Sequence, residues 1–233
     1  MRIACVLLLL SSVALCAEDW PPKQITELPV PEPNFKPDPE ILKKSKDVLL
    51  LDVDTDTCFV KYDGKPYTGW SHLKEGRVVT ATMFYQDGWM HGETKTWWIT
   101  GRPQSIEHYE NGKEHGRFLM WFPNGVLHKD ATFKNGINTH LRQWHGNGNL
   151  FIQAAADDKG RDHGDILIFH ADGDLFIKQT KNHGKSVNTR IYNEEGNYGT
   201  TKTFKDGAFM NSIINANGKI ISNHEYNQKS EAE

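Results

Sequence analysis

The residues best placed to carry chemistry lie in Val48-Leu-Leu-Leu-Asp-Val-Asp-Thr55, where an apolar run delivers Asp52 and, two residues on, Asp54. Carboxylates in that arrangement suit phosphoryl transfer, one as nucleophile and both close to a bound Mg²⁺. Such a site needs a doubly wound α/β domain to supply the other metal ligands and a lysine, and the repeats that follow cannot supply it. Asp52, Asp54 and Asp56, with Asp63 eleven residues after the first, also echo the spacing of a calcium loop. Such a loop wants glycine at its sixth position and a bidentate Glu at its last, where this chain has Thr57 and Asp63. The plainer reading is an edge strand whose acidic side faces solvent and discourages edge-to-edge pairing.

Eleven histidines invite a metal reading, and His91, His115 and His163 share one phase of the repeat described below. Equivalent positions in adjacent hairpins lie about 10 Å apart, whereas the ligands of one zinc all lie about 2 Å from it. These side chains therefore serve packing or turn hydrogen bonds. The chain holds no C-x-x-C, H-E-x-x-H, G-x-S-x-G or phosphate-loop pattern, so nucleophilic, zinc-peptidase and nucleotide chemistry have no carrier. Cys58 reads as a half-buried structural thiol. No catalytic residue, no cofactor and no metal is expected. A formal net charge of -3 and a pI near 6.4 give no basic footprint for nucleic acid.

What positions these residues is a repeat. Gly64, Gly88, Gly112, Gly136, Gly160 and Gly184 stand 24 residues apart, with a near-equivalent at Gly207. Asp63, Asp87, Asn111, Asn135 and Asp206 precede glycines of this series, giving dipeptides that accept positive φ and close tight hairpins. A second series, Gly76, Gly101, Gly125, Gly148, Gly173, Gly196 and Gly218, lies between them. Two turns per period leave segments of strand length. Aromatic residues keep fixed phase before the turns, with Trp97, Trp121, Trp144, Phe169 and Tyr192 in one column and Tyr85, Tyr109 and Phe133 in another. The expectation is an all-β fold: an elongated single antiparallel sheet, a meander of about seven β-hairpins that are stable only as neighbours.

Ahead of the repeat, Arg2 and an apolar run from Ile3 to Leu15 end in small residues before Glu18-Asp19. Residues 1–17 therefore read as a signal peptide, cut after Cys16 or Ala17; a transmembrane anchor needs a longer run, and lipidation of Cys16 wants a smaller neighbour than Leu15. With Cys5 and Cys16 there, Cys58 has no disulfide partner. Residues 18–46 hold seven of the ten prolines and read as an extended spacer, with one short helical turn near Ile41 to Lys46. Val48 to Tyr62 reads as an opening strand, residues 47–226 as the repeat domain, and 227–233 as a polar tail.

The strings Asp63-Gly-Lys-Pro-Tyr-Thr-Gly-Trp70, Phe84-Tyr-Gln-Asp-Gly-Trp-Met-His-Gly92 and Tyr109-Glu-Asn-Gly-Lys-Glu-His-Gly116 resemble the MORN repeat variant of bacterial proteins labelled YwqK-type antitoxins. The resemblance spans about Asp63 to Asn211. It implies a β-hairpin repeat sheet used for protein interaction and scaffolding, sometimes at membranes. Later repeats drift: His140 stands where glycine occurs at Gly92, Gly116 and Gly164, and the aromatic column breaks at Ala154-Ala-Ala156. Because side chains alternate between faces, Trp97 and Trp98, or Trp121 and Phe122, point to opposite sides. Trp97, Trp98, Trp121, Phe122 and Trp144 are then candidates for a partner-binding face. The expected function is an exported protein-interaction module, secreted, periplasmic or in the cell envelope. An antitoxin or immunity-like protein and a binder of envelope glycans are the alternatives.

Overall fold

The computed structural model describes residues 33–192, 198–203, 209–214 and 220–226. The expected leader at 1–17, the first part of the proline-rich segment, the tail at 227–233 and the turns at Gly196, Gly207 and Gly218 lie outside the described residues.

One short helix, α1 (Pro39–Lys44), opens the described chain; the Asp38 carboxylate accepts from the Glu40 amide at its start and Lys43 and Lys44 lie at its end. β1 (Lys46–Asp47) follows, then β2 (Asp52–Val53), β3 (Val60–Tyr62) and β4 (Lys65–Pro66), which form a separate small sheet in the order β2-β3-β4. The opening strand expected over Val48 to Tyr62 is not continuous. The Asp47 carboxylate accepts from Leu49 N at one turn of 3₁₀ helix, Val48–Leu50, and the Asp54 carboxylate accepts from Asp56 N and Thr57 N. Asp54, expected to edge a strand, instead closes a local turn with its carboxylate, the usual competition between a short polar side chain and a ladder.

The long sheet is a meander of seven hairpins among the described residues. They are β5 (Gly69–Glu75) with β6 (Val78–Gln86), β8 (Gly92–Trp97) with β9 (Pro103–Glu110), and β11 (Gly116–Trp121) with β12 (Leu127–Lys134). Then come β13 (Ile137–Trp144) with β14 (Leu150–Ala155), β15 (Gly164–Phe169) with β16 (Leu175–Asn182), β17 (Lys185–Tyr192) with β18 (Tyr198–Thr203), and β19 (Phe209–Ile214) with β20 (Ile220–Tyr226). Two-residue stubs, β7 (Trp89–Met90) and β10 (Lys113–Glu114), precede β8 and β11, each split off at a positive-φ glycine, Gly92 or Gly116. Where His140 replaces that glycine, β13 runs unbroken for eight residues. β1 joins the sheet as a parallel partner of β5.

Among the described residues both glycine series sit at the bends. Asp63-Gly64, Asp87-Gly88, Asn111-Gly112, Asn135-Gly136 and His183-Gly184 have positive φ at both residues, the signature of type I′ hairpin turns. Gly101, Gly125, Gly148 and Gly173 each donate an amide to the carbonyl three residues back, and a register shift sits in the strand just before each turn. Gly160 belongs to a third kind of turn, closed by its amide on the Asp157 carbonyl.

The hairpins are also laced to one another. The amide of Gly88 reaches back to the Tyr67 carbonyl, Gly112 to Met90 (2.9 Å) and Gly136 to Glu114 (2.8 Å). Along the other edge, Arg102 donates to the Pro123 carbonyl, Asn124 to Gly146 and Asn147 to Ala171. On one face the small sheet covers the first hairpin, packing Leu51, Val60 and Tyr67 on Ala81, Met83 and Tyr85. Farther along, Phe118, Ala131, Phe133 and Leu141 form a second cluster, and Ala154, Ala155 and Ala156, where the aromatic column breaks, are buried.

A Cβ built on Gly88 would lie 2.4 Å from the Phe59 ring, whereas one on Gly125 meets nothing within 4 Å. Both glycines have positive φ, +85° and +89°. Gly88→Ala should therefore cost about 2–4 kcal/mol, strain plus overpacking, and Gly125→Ala about 1 kcal/mol, in urea unfolding. Equal losses would contradict the close approach.

Candidate functional site

Paired residues in neighbouring strands carry their side chains to the same face. By register, Lys95, Ile106, Leu119, Asp130, Arg142 and Gln153 form one row across six strands, continued by Leu167, Lys178 and Arg190. The column of Trp97, Trp121, Trp144, Phe169 and Tyr192 runs beside this row, two residues along each strand.

That face is already occupied at its first steps. The spacer read over residues 18–46 is, from Pro33 on, a strap lying against the sheet. The Phe35 ring sits between Trp97 and Trp121, with centroids 5.6 and 5.7 Å away, and the Trp97 indole N–H donates to the Phe35 carbonyl at 3.0 Å. The Lys95 ammonium stands 6.0 Å from the same ring. Farther along the strap, Ser45 Oγ bonds His72 Nδ1 at 2.7 Å, and burial lowers the pKa of that imidazole. Between strap and sheet a cavity of about 60 Å³ is lined by Lys36, Asp38, Ile41, Trp70, Thr82, Glu93, Lys95 and Trp97. Small-molecule sites begin at roughly 300 Å³, so this space suits water.

Beyond the strap, Asp130 is wholly buried and takes a bidentate pair from Arg117 (Nε and Nη2, both 3.0 Å) and a third bond from Arg142 Nη2 at 3.1 Å. Both arginine side chains are 18% exposed. A buried triad of this kind adds little net stability, but losing its carboxylate would leave two cations together, at a cost of about 3–5 kcal/mol. The Arg142 guanidinium also lies 5.5 Å from the Trp144 ring centre. Three strands on from Asp130, Asp165 pairs with Lys178, accepts from Thr180 Oγ1 at 2.6 Å, and feels the Arg190 charge.

The opposite face has its own polar group. Glu107 accepts from Ser105 Oγ (2.6 Å) and Tyr109 Oη (2.7 Å), with Thr96 Oγ1 2.6 Å from Ser105 Oγ. Burial raises the Glu107 pKa against the pull of those hydrogen bonds and of Lys129. Burial likewise raises Glu114 and lowers Lys129, whose ammonium lies over the Phe118 and Phe133 rings.

Of the residues singled out in the sequence, Trp97 and Trp121 are each 2% exposed, held beneath Phe35, and are not a free surface. Trp98, Phe122 and Trp144 are half-buried, Phe122 resting on His128 at 4.2 Å. His115 bonds Glu110 (3.2 Å) and Asn135 (3.3 Å), and His163 stacks on His183 at 4.5 Å. Among the described residues no three His, Cys, Asp or Glu side chains gather as a metal site. Phe35 and the Asp130 triad were missed in the sequence. Phe35 was findable as the one aromatic residue between Pro21 and Cys58, and the triad from charges sharing the tryptophan phase.

A family model described as a MORN repeat variant matches residues 114–135. The match covers one hairpin, from Glu114 through β11 and β12 to the Asn135 turn, the unit that the flanking hairpins repeat. No curated protein matches the chain.

Phe35→Ala should release the strap, costing about 2 kcal/mol for a half-buried phenyl, moving tryptophan emission to longer wavelength and exposing residues 33–44 to protease; unchanged emission would contradict the clamp. Glu107 supplies a pH prediction. Its folded pKa is raised, so the folded state favours the neutral acid, and stability falls as pH rises from the ordinary glutamate value through the raised one. Glu107→Gln should therefore raise Tm at pH 8 relative to the parent, with the difference closing below about pH 4.

Proposed function

We propose that this chain is a repeat-based protein-interaction module whose docking surface is the face bearing the tryptophan column, with no catalytic role. The observation that carries the reading is the strap. The aromatic column already binds an extended, proline-flanked peptide, in cis, through ring contacts and an indole-to-carbonyl hydrogen bond. A single open sheet has two faces and little interior, and here part of one face is taken up by the chain's own strap. The single-hairpin match to the MORN repeat variant supports the repeat half of this reading. The apolar leader at residues 1–17 is the basis for placing the protein outside the cytoplasm. An antitoxin or immunity-like role is the same physics with a toxin as partner. Glycan stacking would have to use Trp144 and the rings beyond it, because Phe35 covers Trp97 and Trp121.

Photo-crosslinking tests the reading. A benzoylphenylalanine at Gln153, on the strap face, should form adducts with another protein in an extract of the source cells, and one at Gln143, on the opposite face, should not. Adducts from Gln143 alone would move the docking surface, and turnover of a substrate by the purified chain would overturn the non-catalytic reading.

A further inference from the structure

The face away from the strap changes character along the sheet. One row of directly paired residues starts at Ala81, under the small β2-β3-β4 sheet, and crosses the middle strands at Thr96, Ser105, Lys129 and Gln143. From β14 to β19 the same row reads Ile152, Ile168, Ile177, Ile191, Gly199 and Ile213. The row beside it holds Ile166, Gln179 and Thr189, and the Gln179 amide donates to Thr189 Oγ1 at 3.0 Å, so its polar groups satisfy each other. None of these residues is charged, whereas the strap face of the same strands carries Asp165, Lys178 and Arg190.

At the first hairpin this apolar face is covered by Leu51, Val60 and Tyr67 of the small sheet. At β17 to β19 it is open: Ile191 is 50% exposed, Ile213 45%, and Val187, at the bulge of β17, 64%.

We infer that the β14 to β19 part of this face packs against the same part of a second copy of the chain, two sheets stacked as layers. Size favours that occupant. Six strands about 4.8 Å apart, each giving about 20 Å of its length, present about 600 Å². Pairing then removes about 1,200 Å² in total, the lower bound for a specific, stable interface. Charge favours it too. A two-fold axis sets a patch against itself, so a charged patch would repel its copy, and this one offers aliphatic side chains and an internally bonded Gln-Thr pair. The same face already accepts a sheet layer at its other end, and β-branched rows suit sheet-on-sheet packing. This pairing leaves the tryptophan column free and stands apart from the docking reading above. Gln143 lies one strand before the patch, so an adduct formed there with a second copy is a product of this pairing, distinct by mass from a foreign partner.

Sedimentation velocity on the purified full chain, over a concentration series, should show a 26.6 kDa monomer giving way to a species of twice that mass. Ile191→Lys puts an ammonium on the patch of both copies and should raise the dimer dissociation constant about tenfold or more, as should Ile213→Lys. Ile99→Lys, at a comparably exposed position in the Trp98-Gly101 turn, should leave it unchanged. Circular dichroism checks that each variant is folded, and Ile213→Lys decides the matter where Ile191→Lys is not. A monomer at every concentration, or a series of ever larger species, overturns the pairing. So does a dimer indifferent to both folded patch variants, or one weakened as much by Ile99→Lys.

Discussion

The fold depends on one hydrogen bond repeated: the amide of a turn glycine donating to a carbonyl of the preceding hairpin, as Gly112 does to Met90 and Gly136 to Glu114. A two-stranded hairpin is marginal in water by itself. Lacing at the bend converts each turn from a loose end into an attachment point, and side-chain bonds from Arg102, Asn124 and Asn147 do the same at the other edge. With both rims tied, a sheet with little interior holds its register, and hydrophobic clusters as small as Phe118, Ala131, Phe133 and Leu141 suffice between them.

Because the rims fix the strands, the two faces are free to diverge. One buries methyl groups and the Glu107 hydrogen-bond group, with the small β2-β3-β4 sheet over its first hairpin. The other carries rings and paired charges in columns, part of it covered by the strap. The buried Asp130 between two arginines keeps positive charge beside the rings while holding both guanidinium groups in place. The rings on this face follow the spacing between strands, and the cavity between strap and sheet is too small for a drug-sized ligand.

The repeat was legible because its determinants are local: a residue tolerant of positive φ followed by glycine fixes a bend wherever it stands, and the positive φ values at Asp87-Gly88 and Asn111-Gly112 are the outcome. The ring column was legible from phase alone. What covers it was not. Phe35 meets Trp97 across 62 residues of chain, a contact that no local pattern encodes. Proline-rich composition argues against a long helix or a central strand, but it does not say whether an extended segment is docked. The stretch after Val48 misled for the opposite reason: its acidic residues alternate as in a strand, while the Asp54 carboxylate accepts from amides two and three residues ahead.

Main-chain lacing has an evolutionary consequence. A stitch made by backbone atoms constrains the interval between bends and hardly constrains the letters in between, so hairpins can be duplicated whole and then diverge quickly without the stack coming apart. The loss of a glycine at His140 and of a ring at Ala154 are such divergences, absorbed within a sheet that continues past them. In a chain built this way, ancestry is kept by counting residues rather than by comparing them.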